Sequence, residues 1–240
     1  MAQGSQSQMP DGAFDALRNY KRGDDPEVLV PIEQAVKAVH GNPAARAALE
    51  QRLAVELGTP SSRDARAFVC RELAIIGSAA SVPALTALLV DEDLSHRARN
   101  ALERIPGPEA DTALRDAIAR TSGNVKIGII HSIAVRRDPG SVPLLAKALA
   151  DNSGAAVAAA KALGEIGTPE AARALEAFRG KSSGALRLAV ADALLICAER
   201  LVASGERLRA AKLLEALTDA SQAPHVRLAA NRALSAAMRP

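Results

Sequence analysis

Residues 77–101 read GSAASVPALTALLVDEDLSHRARNA. The stretch opens on a turn, passes through Ser81-Val82-Pro83 into an apolar run, breaks at Asp91-Glu92-Asp93 and enters a second helical segment. Proline near a helix start costs little, because that amide has no acceptor within the helix. The acids of the break suit the N-terminus of the helix that follows. So short a loop makes the two helices antiparallel neighbours.

The unit recurs. Aligned on the leucine of its first helix, successive copies carry Leu85, Leu114, Leu145 and Leu175, at steps of 29, 31 and 30 residues. The second helices give an independent ladder of Leu73, Leu102, Ile133, Leu163, Leu194 and Leu234, with steps of 29, 31, 30, 31 and 40. Punctuation repeats as well. Ser141-Val142-Pro143, Pro108-Glu109 and Pro169-Glu170 open first helices, while Ser122-Gly123-Asn124, residues 151–154 (DNSG) and Ser182-Ser183-Gly184 stand between the two helices of a pair, as Asp91-Glu92-Asp93 does. These are turn and cap residues. Neither helix buries its apolar stripe alone, so the units must stack. The expectation is an all-α, right-handed α-solenoid of about six antiparallel helix pairs, an α-α superhelix forming one continuous domain.

Composition agrees. Apolar residues make up 48 %, much of it Ala and Leu, whereas aromatics are 2 %: Phe14, Tyr20, Phe68 and Phe178. Ala and Leu are strong helix formers, and no segment alternates as a strand does. Residues 1–12 read as a disordered polar tail and 13–58 as N-terminal capping helices. In that cap, Asp25-Pro26 resembles an N-cap followed by Pro at N1. The helix after it is expected to run to Val39, with Val28, Ile32, Val36 and Val39 on one stripe and Pro31 tolerated in its first turns. Gly41-Asn42-Pro43 then restarts the chain. Residues 59–180 hold the regular repeats, and 181–240 the longer C-terminal helices.

The segments GSAASVPALTALL, RDPGSVPLLAKALAD and ALGEIGTPEAARALEAF resemble HEAT repeats of the short bacterial type also found in bilin-lyase-like proteins. The resemblance covers about residues 44–177. It departs from the pattern at Ile105-Pro106-Gly107-Pro108, where an Ile-Gly turn is usual. Further on, Ala198, Leu201, Gly205, Ala210 and Leu214 are similar to the tetratricopeptide core pattern, and the last 40-residue step accompanies that lengthening.

Catalytic chemistry finds no constellation. His40, His96, His131 and His225 stand apart from one another and from Cys70 and Cys197, whereas a metal site needs three or four converging ligands. The two cysteines fall on apolar helices, where a free Cys acts as a small hydrophobe. There is no phosphate-cradling glycine loop and no GxSxG. No cofactor and no enzyme activity are expected. A bilin-lyase activity rests on family analogy alone, and fold analogy is not evidence of activity.

One surface is patterned. Two positions before each second-helix anchor come Arg71, Asn100, His131, Lys161, Asp192 and Arg232. Seven before come Arg66, Ser95, Lys126, Ala156, Arg187 and Arg227. In HEAT repeats the second helices line the concave face. That makes Arg66, Arg71, Lys126, His131, Lys161, Arg187, Arg227 and Arg232 the candidate partner-binding residues, for a protein partner or a covalently adjoining domain. A helical period of 3.6 sets the two columns roughly 140° apart, so they do not form one continuous stripe. Backbone-directed nucleic-acid binding is the alternative. Against it stand a net charge of only +3 and the few aromatics available for base stacking. The mild basic excess lies in residues 181–240, with nine Lys/Arg against five Asp/Glu.

No apolar run reaches the eighteen or so residues of a membrane span, and no signal peptide is seen. The chain reads as soluble: cytoplasmic as written, periplasmic or exported if a leader preceded Ala2-Gln3. Its end at Arg239-Pro240 reads either as a short-ended solenoid or as one cut from a longer protein.

Overall fold

The computed structural model describes residues 11–151 and 154–237. Of the expected tail, residues 1–10 lie outside the described residues, as do positions 152 and 153 of one inter-helix turn and Met238 of the last helix. Every regular element among the described residues is helical. The chain divides into two compact units, Met1–Arg120 and Thr121–Pro240.

The first unit begins with α1 (Asp11–Asn19). Asp25 caps the next segment by accepting from the Glu27 amide at 3.0 Å, but that segment is a 3-10 turn, Pro26–Leu29, ahead of α2 (Val30–Ala38). Pro31 is the cause. It has no N–H to give the carbonyl four residues back, and its ring crowds that carbonyl. The tighter turn advances the register. Leu29, 6 % exposed, joins Ile32, Val36 and Val39 in the core, and Val28 is left 37 % exposed.

Asn42 and Pro43 start α3 (Pro43–Gly58), with the Asn42 side chain accepting from the Ala45 amide at 3.1 Å. After it come α4 (Arg63–Ile76), α5 (Val82–Ala87), α6 (Ser95–Arg104) and α7 (Pro108–Ile118). First helices α3, α5 and α7 lie side by side in one layer and second helices α4 and α6 in the other. Leu73, Leu85, Leu102 and Leu114 are wholly buried between them. Of the inter-helix acids only Asp91 bonds the turn ahead of α6, its Oδ1 accepting from the amides of Asp93 and Leu94 at 2.9 and 3.0 Å, while Leu94, at the N-cap, gives the helix no side-chain cap.

Polar contacts from one repeat to the next hold this unit together. Buried Glu50, on α3, accepts from the Ser78 amide at 2.6 Å, the Ser78 hydroxyl at 2.8 Å and the Ser81 hydroxyl at 2.5 Å. One turn earlier Arg46 donates to the Ile76 carbonyl at 2.8 Å. Together they grip the turn between α4 and α5.

Arg18 docks α1 on α3 in the same manner. Its Nε and Nη2 each donate at 2.9 Å to one oxygen of the buried Glu56 carboxylate. Arg52 stands 3.4 Å from that carboxylate and 4.9 Å over the Phe14 ring. Burial pushes the Glu56 carboxyl up, but the hydrogen bonds from Arg18 and Thr59 and the charges of Arg18 and Arg52 outweigh it. The group ends below its ordinary value.

A depressed carboxyl stabilises the fold at pH above its unfolded value, and the contribution is lost as pH falls through the folded one. Wild-type stability is therefore expected to decline below about pH 4.5 more steeply than that of Glu56→Gln. Urea midpoints followed by circular dichroism across that range read the difference. Parallel pH slopes would remove Glu56 as the cause.

The second unit contains α8 (Gly123–Arg136), α9 (Val142–Ala148), α10 (Gly154–Ile166), α11 (Pro169–Arg179), α12 (Gly184–Ala203), α13 (Arg207–Glu215) and α14 (Pro224–Ala237). Second helices α8, α10, α12 and α14 neighbour one another in sequence, and α9, α11 and α13 pair with the helices that follow them. Ile133, Leu145, Leu163, Leu175 and Leu194 are fully buried, while Leu234 is half-buried.

The centre of this unit is built for close approach. Ala155, Ala156, Ala158, Ala159, Ala160 and Ala162 of α10 are all buried. At Gly164 a Cβ would stand 2.8 Å from the Ala193 carbonyl oxygen of α12 and 2.9 Å from its Cα. Three residues later Gly167, at φ +65°, turns the chain toward α11, and the stem of Arg200 fills the space where its Cβ would sit. Arg200 also reaches back to Glu165 at 2.6 Å.

At the C-terminal end, Ala198, Leu201, Ala210 and Leu214 are buried around the turn holding Gly205, between α12 and α13. Asp138 here does what Glu50 does in the first unit. Itself buried, it accepts from the Gly140 amide at 3.0 Å and from the hydroxyl of buried Ser141 at 2.5 Å.

Candidate interaction surface

The two columns on the second helices separate cleanly in space. All six residues two positions before the anchors are exposed: Arg71 and Asn100 in the first unit, and His131, Lys161, Asp192 and Arg232 in the second. The column seven before faces neighbouring chain instead. Ser95 and Ala156 are buried, Arg66, Lys126 and Arg227 are half-buried, and only Arg187 is exposed. The 140° between the columns is the reason. When the anchor points into the core, the nearer column points to solvent and the farther one to the helix flank.

Within the buried-side column, two of the four basic residues, Lys126 and Arg187, already have structural work, whereas the Nε atoms of Arg66 and Arg227 are buried without a hydrogen-bond partner among the described residues. Lys126 stands 3.6 Å from Asp151, across the turn that opens α10. Arg187 donates to the Ser221 carbonyl at 2.7 Å, and Arg179, which the repeat pattern did not single out, donates to the Ala216 carbonyl at 2.7 Å. These two arginines line a polar cavity of about 540 Å³ with Glu215, Thr218, Asp219 and Gln222. They clasp the loop between α13 and α14. Hydrogen bonds donated by the Ser221 hydroxyl and amide also hold Asp219 below the ordinary carboxylate value.

The exposed column is mixed in its commitments. Arg71 is engaged: it bridges Glu33 and Glu72 and lies 4.8 Å over the Phe68 ring. Glu72 itself is buried, and burial pushes its carboxyl up despite Arg71. His131 is exposed on α8. The side chains of Lys161 and Arg232 are exposed and make no ion pair or hydrogen bond with the described residues. One turn beyond Arg71 and His131 on the same helix faces stand Ile75 and Val135, 61 % and 63 % exposed. On one second helix of each unit an exposed polar side chain is thus followed by an exposed apolar one.

His40, His96, His131 and His225 are all exposed, and partial desolvation, helped by the positive charges of Arg97, Arg99 and Arg63, pushes the His96 imidazole down. Among the described residues no three His, Cys, Asp or Glu side chains are grouped to hold a metal ion. Cys70 and Cys197 are buried, and burial pushes both thiols up to about 12. As uncharged thiols they are poor nucleophiles. Among the described residues no helix is long and apolar enough to cross a membrane.

A family model described as HEAT repeats matches residues 113–195. The match ends inside α12, so the long C-terminal helix begins as the second helix of a repeat. No curated protein matches the chain in sequence. Among solved structures, human deoxyhypusine hydroxylase in complex with glycerol is similar over 94 % of this chain and 94 % of its own, at 16 % identity and a TM-score of 0.39.

Proposed function

We propose, from the premise that residues 113–195 carry HEAT repeats, that the chain is a non-catalytic scaffold that binds a protein partner through the exposed face of its second helices. The observation that carries this is the register of that face. In each unit every second helix presents an exposed residue at the same position, and on one of them an exposed branched apolar side chain follows one turn later. Stacked repeats offer such surfaces to extended partners. The apolar residues favour a protein over a nucleic-acid backbone, which would draw on cations alone. Lys161 and Arg232 are the uncommitted cations of this face, whereas Arg71, Lys126 and Arg187 serve the fold.

A photo-crosslinking amino acid placed at Lys161 or Val135 reads this directly in cells. The two positions are expected to give adducts with one and the same protein. Leu144 and Lys147, exposed on the first helix α9, are expected to give none. Adducts only from α9, or only with nucleic acid from any position, would overturn the proposal.

A further inference from the structure

The first unit holds a cavity of about 210 Å³ that the repeat pattern does not register. Its wall comprises Tyr20, Arg22, Leu29, Asp64, Ala67, Phe68, Arg71 and Arg97. Three arginines line it from three parts of the chain: the loop after α1, α4 and α6. The guanidinium groups of Arg22 and Arg97, both exposed, make no ion pair or hydrogen bond with the described residues. Arg71 is fixed between Glu33 and Glu72.

The wall is tied down. The Ser62 hydroxyl donates to the Tyr20 carbonyl, the Ser62 amide to the Arg18 carbonyl at 3.1 Å, and the Arg22 amide to Asp64 Oδ2 at 3.1 Å. Asp64 is therefore the acid of the wall already partnered by backbone, in the first turn of α4, where a negative charge is favoured. The floor, of Leu29, Ala67 and the Phe68 ring, is apolar.

We infer that this cavity takes a carboxylate side chain from an acidic segment of a protein partner. Guanidinium forks match a carboxylate with two parallel hydrogen bonds. The apolar floor suits the methylene stem that carries it. Asp64 on the wall repels a dianion more than a monoanion, which selects a carboxylate over a phosphate. The inference rests on the scaffold reading and supplies its chemistry for the first unit.

The test uses the full chain and a fluorescein-labelled hexaglutamate peptide, read by anisotropy at low salt. Binding is expected, weakening steeply as salt rises. The Arg22→Ala, Arg97→Ala double variant is expected to bind at least tenfold more weakly, with an unchanged circular dichroism spectrum. The corresponding double Lys variant keeps charge but loses the fork, and is expected to fall between the two. Lys161→Ala, Arg232→Ala in the second unit is expected to leave peptide binding unchanged. Equal affinity of the Ala double variant, equal binding of hexalysine, or displacement of the peptide by inorganic phosphate more readily than by acetate would overturn the inference. The scaffold proposal fails separately. A crosslinked partner whose capture ignores Arg22 and Arg97 removes the cavity and keeps the scaffold. Peptide binding at the cavity without any second-helix adduct does the reverse.

Discussion

Gly164→Val is expected to destabilise the second unit by about 3 kcal/mol, lowering its melting temperature by about 10 °C. The cost comes from backbone, not from a side chain that can swing away. Even the first carbon of the new side chain stands 2.8 Å from the Ala193 carbonyl oxygen and 2.9 Å from its Cα, so α10 and α12 must move apart. Separation loosens the row of alanines on α10 as well, because those methyl groups make contact only at short range. Gly164→Ala separates two effects. It gains about 1 kcal/mol of helix propensity against the same collision, so a smaller net loss is expected. Labelling of Cys197, buried on α12, gives a local measure: its rate should rise in the Val variant. A Val variant that melts with wild type would mean that the two helices do not approach this closely.

Leu102→Ala is the second large effect, about 3 kcal/mol, as expected when a wholly buried leucine is cut back to a methyl. Its control sits two residues away. Asn100 is exposed on the same helix, so Asn100→Ala should stay within about 0.5 kcal/mol. Urea denaturation reads both. Cys70, buried on the neighbouring α4, should become reactive toward thiol reagents in Leu102→Ala and not in Asn100→Ala. Equal effects of the two substitutions would show that the ladder does not point inward.

That contrast also shows how much of the fold could be read from residues alone. Leu73, Leu102, Ile133, Leu163 and Leu194 were legible because a helix that stacks must repeat its buried residue, and the repeat is visible as spacing. Val28 leaves the expected stripe because Pro31 changes the turn that precedes it, a local exception that helical periodicity does not contain. The clamps of Glu50 and Glu56 were invisible for another reason. Each joins residues 28 to 38 positions apart, and no local pattern marks a long-range polar pair.

The candidate surface was legible in part. Arginine and lysine recur in both columns, yet chemistry alone does not tell an arginine that clasps a loop, such as Arg187, from a lysine left to solvent, such as Lys161. Burial and partners make that distinction. The cavity between Arg22 and Arg97 lay beyond reach because one of its walls belongs to the N-terminal cap, which carries no copy of the repeat.

Ser81 and Ser141 occupy the same place in two copies of the repeat, but their carboxylates come from different addresses. Ser141 is served by Asp138, three residues upstream, whereas Ser81 is served by Glu50, on the helix of the preceding pair. A module cut at Asp138 carries its own acceptor and can be duplicated or transplanted intact. One cut after α3 leaves two serine hydroxyls behind without theirs. Lengthening this array by gene duplication, in nature or at the bench, is thus easier from its second half than from its first.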